Sequence, residues 1–311
     1  MSLFFFVINE DRLALYGNLL MQKYLFKIFT WSPRVVFFIF AGVCLERYIT
    51  YLMAVVPFAY DWGPSDGDHL NFAHRLAQGL PIYMAFKEGH VLSIYNPLFH
   101  GLIALLGGAN ATLSFARLIS FLFWLLTPLT VLLYFRKQWG YFYAVLAALF
   151  IWLPPEPEML IDIMYVGGNT LMAFLFTITL LYAASCSKNS NTSFWSYFFI
   201  GFLTAFCFLA KQQGIIVLAI IISFMILRRI DFRNILLIFL GFSFVIVVST
   251  AYLEFLNTGQ YLHSTLIDLS GIMSSSGPLA RARLSSFLFV SNMCFLICIL
   301  VSFLFFIFID R

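Results

Sequence analysis

The sequence predicts an all-α, polytopic integral membrane protein with about eight transmembrane helices and further juxtamembrane helices on the exoplasmic side. Hydrophobic residues make up 62% of the 311 residues and charged residues only 10%, against about 25% charged in a typical soluble domain. The mean hydropathy is correspondingly high, at +0.94. The apolar runs are continuous instead of alternating, a pattern that favours membrane helices and excludes a barrel.

Eight apolar segments come close to the roughly 20 residues that a helix needs to cross a bilayer. Residues 97–107 are apolar but too short, and we expect them to form a juxtamembrane or re-entrant helix. Counted this way, most lysines and arginines lie on the N-terminal side of the membrane and most carboxylates on the other, as the positive-inside rule predicts. The expected spans are about 35–57, 113–135, 140–154, 169–186, 194–210, 214–230, 234–254 and 285–309.

This topology divides the chain into a cytoplasmic N-terminal lead-in, residues 1–34, and a transmembrane module, residues 35–311. Both termini then lie in the cytoplasm, and the first large exoplasmic loop is 58–112. The net charge of +4 is small, so no nucleic-acid partner is expected. The five cysteines show no CxxC spacing, so neither a disulfide framework nor a zinc site is expected.

The most polar part of the sequence is residues 61–100, in the first loop. It carries four acidic residues and four of the five histidines. A membrane protein concentrates polar groups in this way where a loop meets water or where a site does chemistry. Apolar residues at helical spacing predict a surface helix that begins after residues 65–68 and ends at Gly79 and Pro81. Its predicted apolar face consists of Leu70, Ala73, Leu76, Ala77 and Leu80.

Asp66 and Asp68 are the candidate catalytic residues. Both lie at the N-terminus of the expected surface helix, where an aspartate commonly caps the helix and stabilises it by about 1 kcal/mol. Two acids separated by one glycine exceed what capping needs, and a partly desolvated carboxylate can act as a general base toward a hydroxyl. The sequence leaves both roles open.

Four cations expected on the exoplasmic side are candidates for holding a phosphate. Lys211 interrupts an apolar run and precedes a helix start at Gly214, whose N–H groups favour anions. The alternatives are a lysine that snorkels at a turn and arginines that bind lipid headgroups. The candidate phosphate-binding residues are Lys211, Arg281, Arg283 and Arg117.

The candidate substrate-binding residues are His69, Tyr95 and Asn96. Residues 95–97 also suit a simple helix start, because proline fits the first turn of a helix. The histidines lack the HxxxH spacing of a metal site, so no metal and no other cofactor is expected.

Four short motifs follow one another in an order that resembles a known family. They are AxxLxxGxxxY at residues 73–83, YxPL at 95–98, ARLIS at 116–120 and FLxKQxG at 208–214, all after an acidic outer loop. The order resembles the clan C glycosyltransferases that use polyprenyl-phosphate sugars, in particular the dolichyl-phosphate-mannose protein mannosyltransferases and the bacterial lipid A aminoarabinose transferases. The resemblance covers about residues 35–260.

The resemblance implies a catalytic aspartate just upstream of the surface helix, a place that Asp66 fits best and Asp68 next. It also implies that Lys211 contacts the donor phosphate. The chain departs from the family pattern in three places. It has Asp-Gly-Asp where relatives often have Asp-Glu or Asp-Asp, Asn96 in place of the first proline of the YPPL element, and Asn169 where relatives often have a second acid.

A glycosyltransferase of this kind moves a sugar from a polyprenyl-phosphate donor in the membrane lipid to a hydroxyl of a glycan, lipid or protein acceptor, by one inverting displacement. The alternatives are a transporter or flippase of a lipid-linked sugar and a polymerase or ligase of surface polysaccharide. Transporters place ionisable groups near the bilayer midplane, whereas only Glu46 and Arg47 are expected to lie deep here, which favours the enzyme. The expected location is a bacterial inner membrane, with the site facing the periplasm or the exterior.

Overall fold

The computed structural model describes residues 66–83, 96–152, 166–189 and 192–268, together with part of the segment 35–57. The chain divides into two compact units, Met1–Pro57 and Phe58–Arg311. In the first unit, the described residues between 35 and 55 are helical, and the Thr50 hydroxyl donates a hydrogen bond to Glu46 across 3.4 Å. Three predicted site residues and the last predicted span lie outside the described residues: Tyr95, Arg281, Arg283 and 285–309.

The described part of the second unit consists of seven α-helices joined by turns, and it contains no strand. A one-turn 3-10 segment follows the second helix, another precedes the sixth, and a π-helical turn follows the seventh. The helices are α1 (Asp66–Ala77), α2 (Leu98–Gly107), α3 (Leu113–Trp152), α4 (Asn169–Lys188), α5 (Phe194–Ala210), α6 (Ile215–Leu227) and α7 (Phe232–Leu256).

Three of these helices are long and apolar enough to cross a membrane: α3, over Leu113–Leu149, α4 and α7. The protein is therefore all-α in its described part and has the character of a membrane protein. Among the described residues the number of such helices is three and not eight, because two predicted spans lie in the single helix α3 and because α5 and α6 have only 17 and 13 residues. At 1.5 Å per residue, α6 measures roughly 20 Å, which is shorter than a hydrocarbon core of about 30 Å.

The long helix α3 is interrupted at Gly140, whose φ of 78° and ψ of 168° lie outside the helical region. Only glycine adopts such a backbone conformation without strain. The interruption falls where the sequence predicts a break between the spans 113–135 and 140–154. Val131 before it and Ala144 after it belong to one buried cluster with Leu181 of α4.

Helices α5 and α7 pack with their backbones in close contact. A Cβ atom on Gly201 would overlap the carbonyl of Ile238, and one on Gly241 would overlap the carbonyl of Phe198. Two glycines facing each other across the pair leave room for this approach, as small residues do between membrane helices. Helix α5 leads directly into Lys211, a residue of the site described below.

The buried face of α1 differs from the face that the sequence predicts. Ala77 and Leu80 are exposed, whereas Asp66, His69 and Phe72 are buried together with Ala73. Hydrophobic periodicity places polar residues on the outer face, and it fails here because the two polar side chains have buried partners on other helices. The helix begins at Asp66, three residues earlier than predicted, and Gly79, with a φ of 71°, follows its end as predicted.

Candidate functional site

The N-terminus of α1 is fixed by a completely buried ion pair. Arg117, near the start of α3, donates a hydrogen bond from Nη2 to Asp66 Oδ2 across 2.9 Å. The other carboxylate oxygen of Asp66 accepts the backbone N–H of Val166 across 3.0 Å. Each oxygen of Asp66 therefore has a donor, and the carboxylate joins three parts of the chain that are far apart in sequence.

One helical turn further along α1, His69 meets His100 of α2. The His69 Nδ1 and His100 Nε2 atoms lie 2.6 Å apart, and both side chains are buried, with 2% and 1% of their surface exposed. The rings of Phe72 and His100 form a T-shaped contact, with centroids 5.5 Å apart. Because one hydrogen joins the two nitrogens, one histidine must donate and the other accept.

Burial keeps both histidines neutral. It lowers the pKa of His69 to about 4, while the charge of Asp66 acts to raise this pKa and that of Lys211 to lower it further. Burial also lowers the pKa of His100 well below its usual value, and a charge on His69 acts in the same direction. The pair is therefore an uncharged hydrogen-bonding unit at neutral pH.

Lys211 has an extended backbone conformation and lies between α5 and the 3-10 turn Gln212–Gly214 that leads into α6. Its Nζ atom donates a hydrogen bond to Asn169 Oδ1, at the first residue of α4. The preceding Gly168 touches the carbonyl of Ala210 so closely that a Cβ atom would overlap it. The predicted turn at Lys211 and the helix start after it are confirmed.

Asn96 links α2 to two other parts of the site. Its amide nitrogen donates to the backbone carbonyl of Phe208 in α5, and its side-chain oxygen accepts the hydroxyl of Tyr261 across 3.2 Å. Tyr261 packs edge-on against Tyr83, with ring centroids 4.9 Å apart. Burial raises the pKa of Tyr261 to about 12, so its hydroxyl keeps its proton.

Asn257, just after α7, holds the segment that follows α1. Its side-chain oxygen accepts the backbone N–H groups of Ile82 and Tyr83 across 3.0 and 3.2 Å. Its amide nitrogen donates to the carbonyl of Leu253 across 2.7 Å. The first loop and the end of α7 are thereby tied together beneath the site.

Some of these groups line a cavity of about 20 Å³, which is room for about one water molecule. Its polar lining comes from His69 on α1, Asn96 and His100 at α2, Asn169 on α4 and Lys211. The apolar residues Ala73, Phe99, Ala116, Val166 and Ala210 form one buried cluster around the same helix ends.

The structure brings five of the predicted site residues together: Asp66, His69, Asn96, Arg117 and Lys211. Asp68 lies on the same turn of α1 and is partly exposed. Tyr95, Arg281 and Arg283 lie outside the described residues. Within the described residues, no three His, Cys, Asp or Glu side chains are arranged to hold a metal ion.

The sequence did not single out His100 or Tyr261 as site residues, and it noted Asn169 only as a departure from a motif. His100 is the third residue of α2, and its burial depends on packing against α1, which periodicity does not reveal. Comparison with protein-family models, curated proteins and solved structures finds no match to this chain.

Proposed function

We propose that the protein is a membrane glycosyltransferase that moves a sugar from a polyprenyl-phosphate donor to an acceptor hydroxyl on the exoplasmic side. The observation that carries the proposal is that residues from three of the motifs, and from the helix that leads into the first motif, meet at one buried polar site. The site takes His69 from the surface helix that leads into 73–83 and Asn96 from the element 95–98. It takes Arg117 from the element 116–120 and Lys211 from the element 208–214.

The donor phosphate is assigned to Lys211. Its ammonium group is held at the cavity by Asn169, the first residue of α4, and backbone N–H groups and the helix dipole at such a helix N-terminus favour an anion. We expect a phosphate oxygen to replace Asn169 Oδ1 as the partner of Lys211. The ammonium then stabilises the charge that grows on the phosphate as the glycosidic bond breaks.

The cavity requires a change on donor binding. A volume of about 20 Å³ admits one phosphate oxygen but no sugar ring, so the lining side chains must move apart. Lys211 is partly buried and carries a flexible stem, which makes its departure from Asn169 the smallest movement that enlarges the site.

Within this proposal, the chain crosses the membrane eight times, counting the short helices α5 and α6 as crossings, with the site on the exoplasmic side of a bacterial inner membrane. The helix bounds of α4, α5 and α7 lie within two residues of the predicted spans, which supports the order of the segments. Cysteine substitutions at Gln212 and Ser187, in a background with the native cysteines replaced, test on which side of the membrane each position lies. A membrane-impermeant thiol reagent added from outside should label the first position and not the second.

The activity is tested with purified membranes and a panel of radiolabelled polyprenyl-phosphate sugars carrying mannose, glucose or aminoarabinose. Wild-type protein should transfer label out of the donor lipid, and Lys211→Met should lower the rate at least 100-fold, as the loss of one charge-stabilising donor does. Lys188→Met is the matched control, because Lys188 lies at the other end of α4, roughly 28 Å from Asn169. Donor binding without transfer of any of the three sugars by wild-type protein would favour the transporter.

A further inference from the structure

We propose that His69 is the general base of this transfer and that His100 positions it. The inference rests on the proposed glycosyl transfer and assigns its proton-accepting step to a pair of residues. His69 lines the cavity beside Lys211, and its Nδ1 atom is held 2.6 Å from His100 Nε2. His69 therefore has a fixed ring orientation and a place in the same cavity lining as Lys211, which is expected to hold the phosphate.

Asp66 is less suited to taking the proton. Its two oxygens already accept hydrogen bonds from Arg117 and from the backbone N–H of Val166. A carboxylate with both oxygens engaged must give up one of these bonds before it can receive a proton from an acceptor hydroxyl. We assign Asp66 to holding the N-terminus of α1, and hence His69, in place.

The direction of the hydrogen bond between the two histidines decides which nitrogen of His69 can accept a proton. In this proposal the proton of His100 lies on Nδ1, so that its Nε2 accepts a hydrogen bond from His69 Nδ1. In that arrangement the basic nitrogen of His69 is Nε2.

The charges at the site link the strength of this base to the donor. Burial, the largest cause, and the positive charge of Lys211, the smallest, lower the pKa of His69, whereas the charge of Asp66 raises it. A phosphate bound to Lys211 offsets the lysine charge and adds a negative charge nearby, so we expect donor binding to raise the pKa of His69 above this lowered value. Base catalysis is most effective when that pKa is near the working pH.

The step balances as a single displacement. His69 Nε2 accepts the hydroxyl proton while the acceptor oxygen forms a bond to the anomeric carbon of the sugar. The bond from that carbon to the phosphate oxygen breaks, and its electron pair stays on the phosphate beside Lys211. The products are the inverted glycoside, polyprenyl phosphate and an imidazolium, which returns its proton to water as the products leave.

The experiment compares wild type with His69→Gln and His74→Gln in transfer from the radiolabelled donors and in donor binding. His74 is the control because it lies on the same helix and bonds to the Ala111 carbonyl, away from the cavity lining. His69→Gln should lower kcat at least 100-fold, leave donor affinity within twofold and abolish the acid limb of the pH profile of kcat. His74→Gln should leave all three unchanged.

Two substitutions at His100 extend the test in case His69→Gln does not fold. His100→Gln keeps an acceptor for His69 Nδ1, whereas His100→Leu removes it, so we expect the leucine variant alone to lose kcat, by tenfold or more, at unchanged KM. Wild-type transfer accompanied by more than a tenth of that rate in His69→Gln, or equal kcat in the two His100 variants, would overturn the assignment of His69. Absence of transfer by wild-type protein would instead overturn the proposed function.

Discussion

Arg117 Nη2 lies 2.9 Å from Asp66 Oδ2, and neither side chain is accessible to solvent. The pair joins the start of α3 to the start of α1 across 51 positions of sequence. Removing two charges from water has a large free-energy cost, which the pair offsets by mutual attraction and by the additional hydrogen bond from Val166. A single buried charge without its partner has no such compensation.

We therefore expect Asp66→Asn and Arg117→Met each to lower the stability of the folded protein by about 3–5 kcal/mol. The double variant should be destabilised by less than the sum of the two, because it leaves no charge buried alone. Thermal unfolding of the detergent-solubilised proteins measures the three effects and the coupling between them, expected at about 1–3 kcal/mol. Strict additivity would show that the two side chains do not depend on each other.

The sequence predicts where helices begin and end better than it predicts which residues they bring into contact. The predicted span 194–210 matches α5 at both ends, and the turn at Lys211 is where the sequence places it, because local composition and turn residues determine such features. The pairing of His69 with His100 could not be predicted, because it depends on how α1 packs against α2. The polar buried face of α1 is a consequence of the same packing.

The number of spans is a separate matter, because it depends on length as well as composition. The sequence extends the predicted span 214–230 through Arg228 and Arg229, whereas α6 ends at Leu227 and Arg229 adopts a φ of 56°. A residue in the left-handed conformation ends a helix, and the hydrophobicity pattern of a sequence does not show where such a residue occurs. The bounds of α6 therefore turn a predicted span into a short apolar helix.

The glycines between α5 and α7 give a second prediction. We expect Gly201→Ala and Gly241→Ala each to destabilise the protein by about 1–3 kcal/mol, because the added methyl group forces two helix backbones apart. Gly101→Ala in α2 is the control, since a Cβ atom there meets nothing within 4 Å, and alanine should stabilise that helix by up to about 1 kcal/mol. Unfolding temperatures that fall equally for all three would contradict close packing at the α5–α7 pair.

The histidine pair predicts a loss of stability in acid. Between about pH 6.5 and 4 the unfolded chain binds a proton at His69 that the folded chain does not, because burial lowers the folded pKa to about 4. The stability is complete above pH 6.5 and falls as the pH is lowered, by up to about 3 kcal/mol for His69. His100 acts in the same direction.

Unfolding temperatures measured between pH 7.5 and 4.5 check this expectation. Wild-type protein should lose thermal stability over that interval, and His69→Gln should lose distinctly less. His74→Gln, a change of the same kind on the same helix, should follow the wild-type curve. If His69→Gln and wild type lose stability in parallel, then His69 does not titrate differently in the folded and unfolded states.

The hydrogen bonds at Asn257 lead to a prediction about the segment that follows α1. Replacing Asn257 by alanine removes the shared acceptor of the Ile82 and Tyr83 N–H groups. Each buried N–H left without a partner costs about 1–3 kcal/mol, so we expect the segment after α1 to open more often than the helices around it. Hydrogen exchange followed by mass spectrometry should show faster exchange in the peptide that contains residues 82 and 83. Asn234→Ala, near the other end of α7, is the control and should leave that peptide unchanged; equal protection of the peptide in Asn257→Ala and wild type would mean that other contacts hold the segment in place.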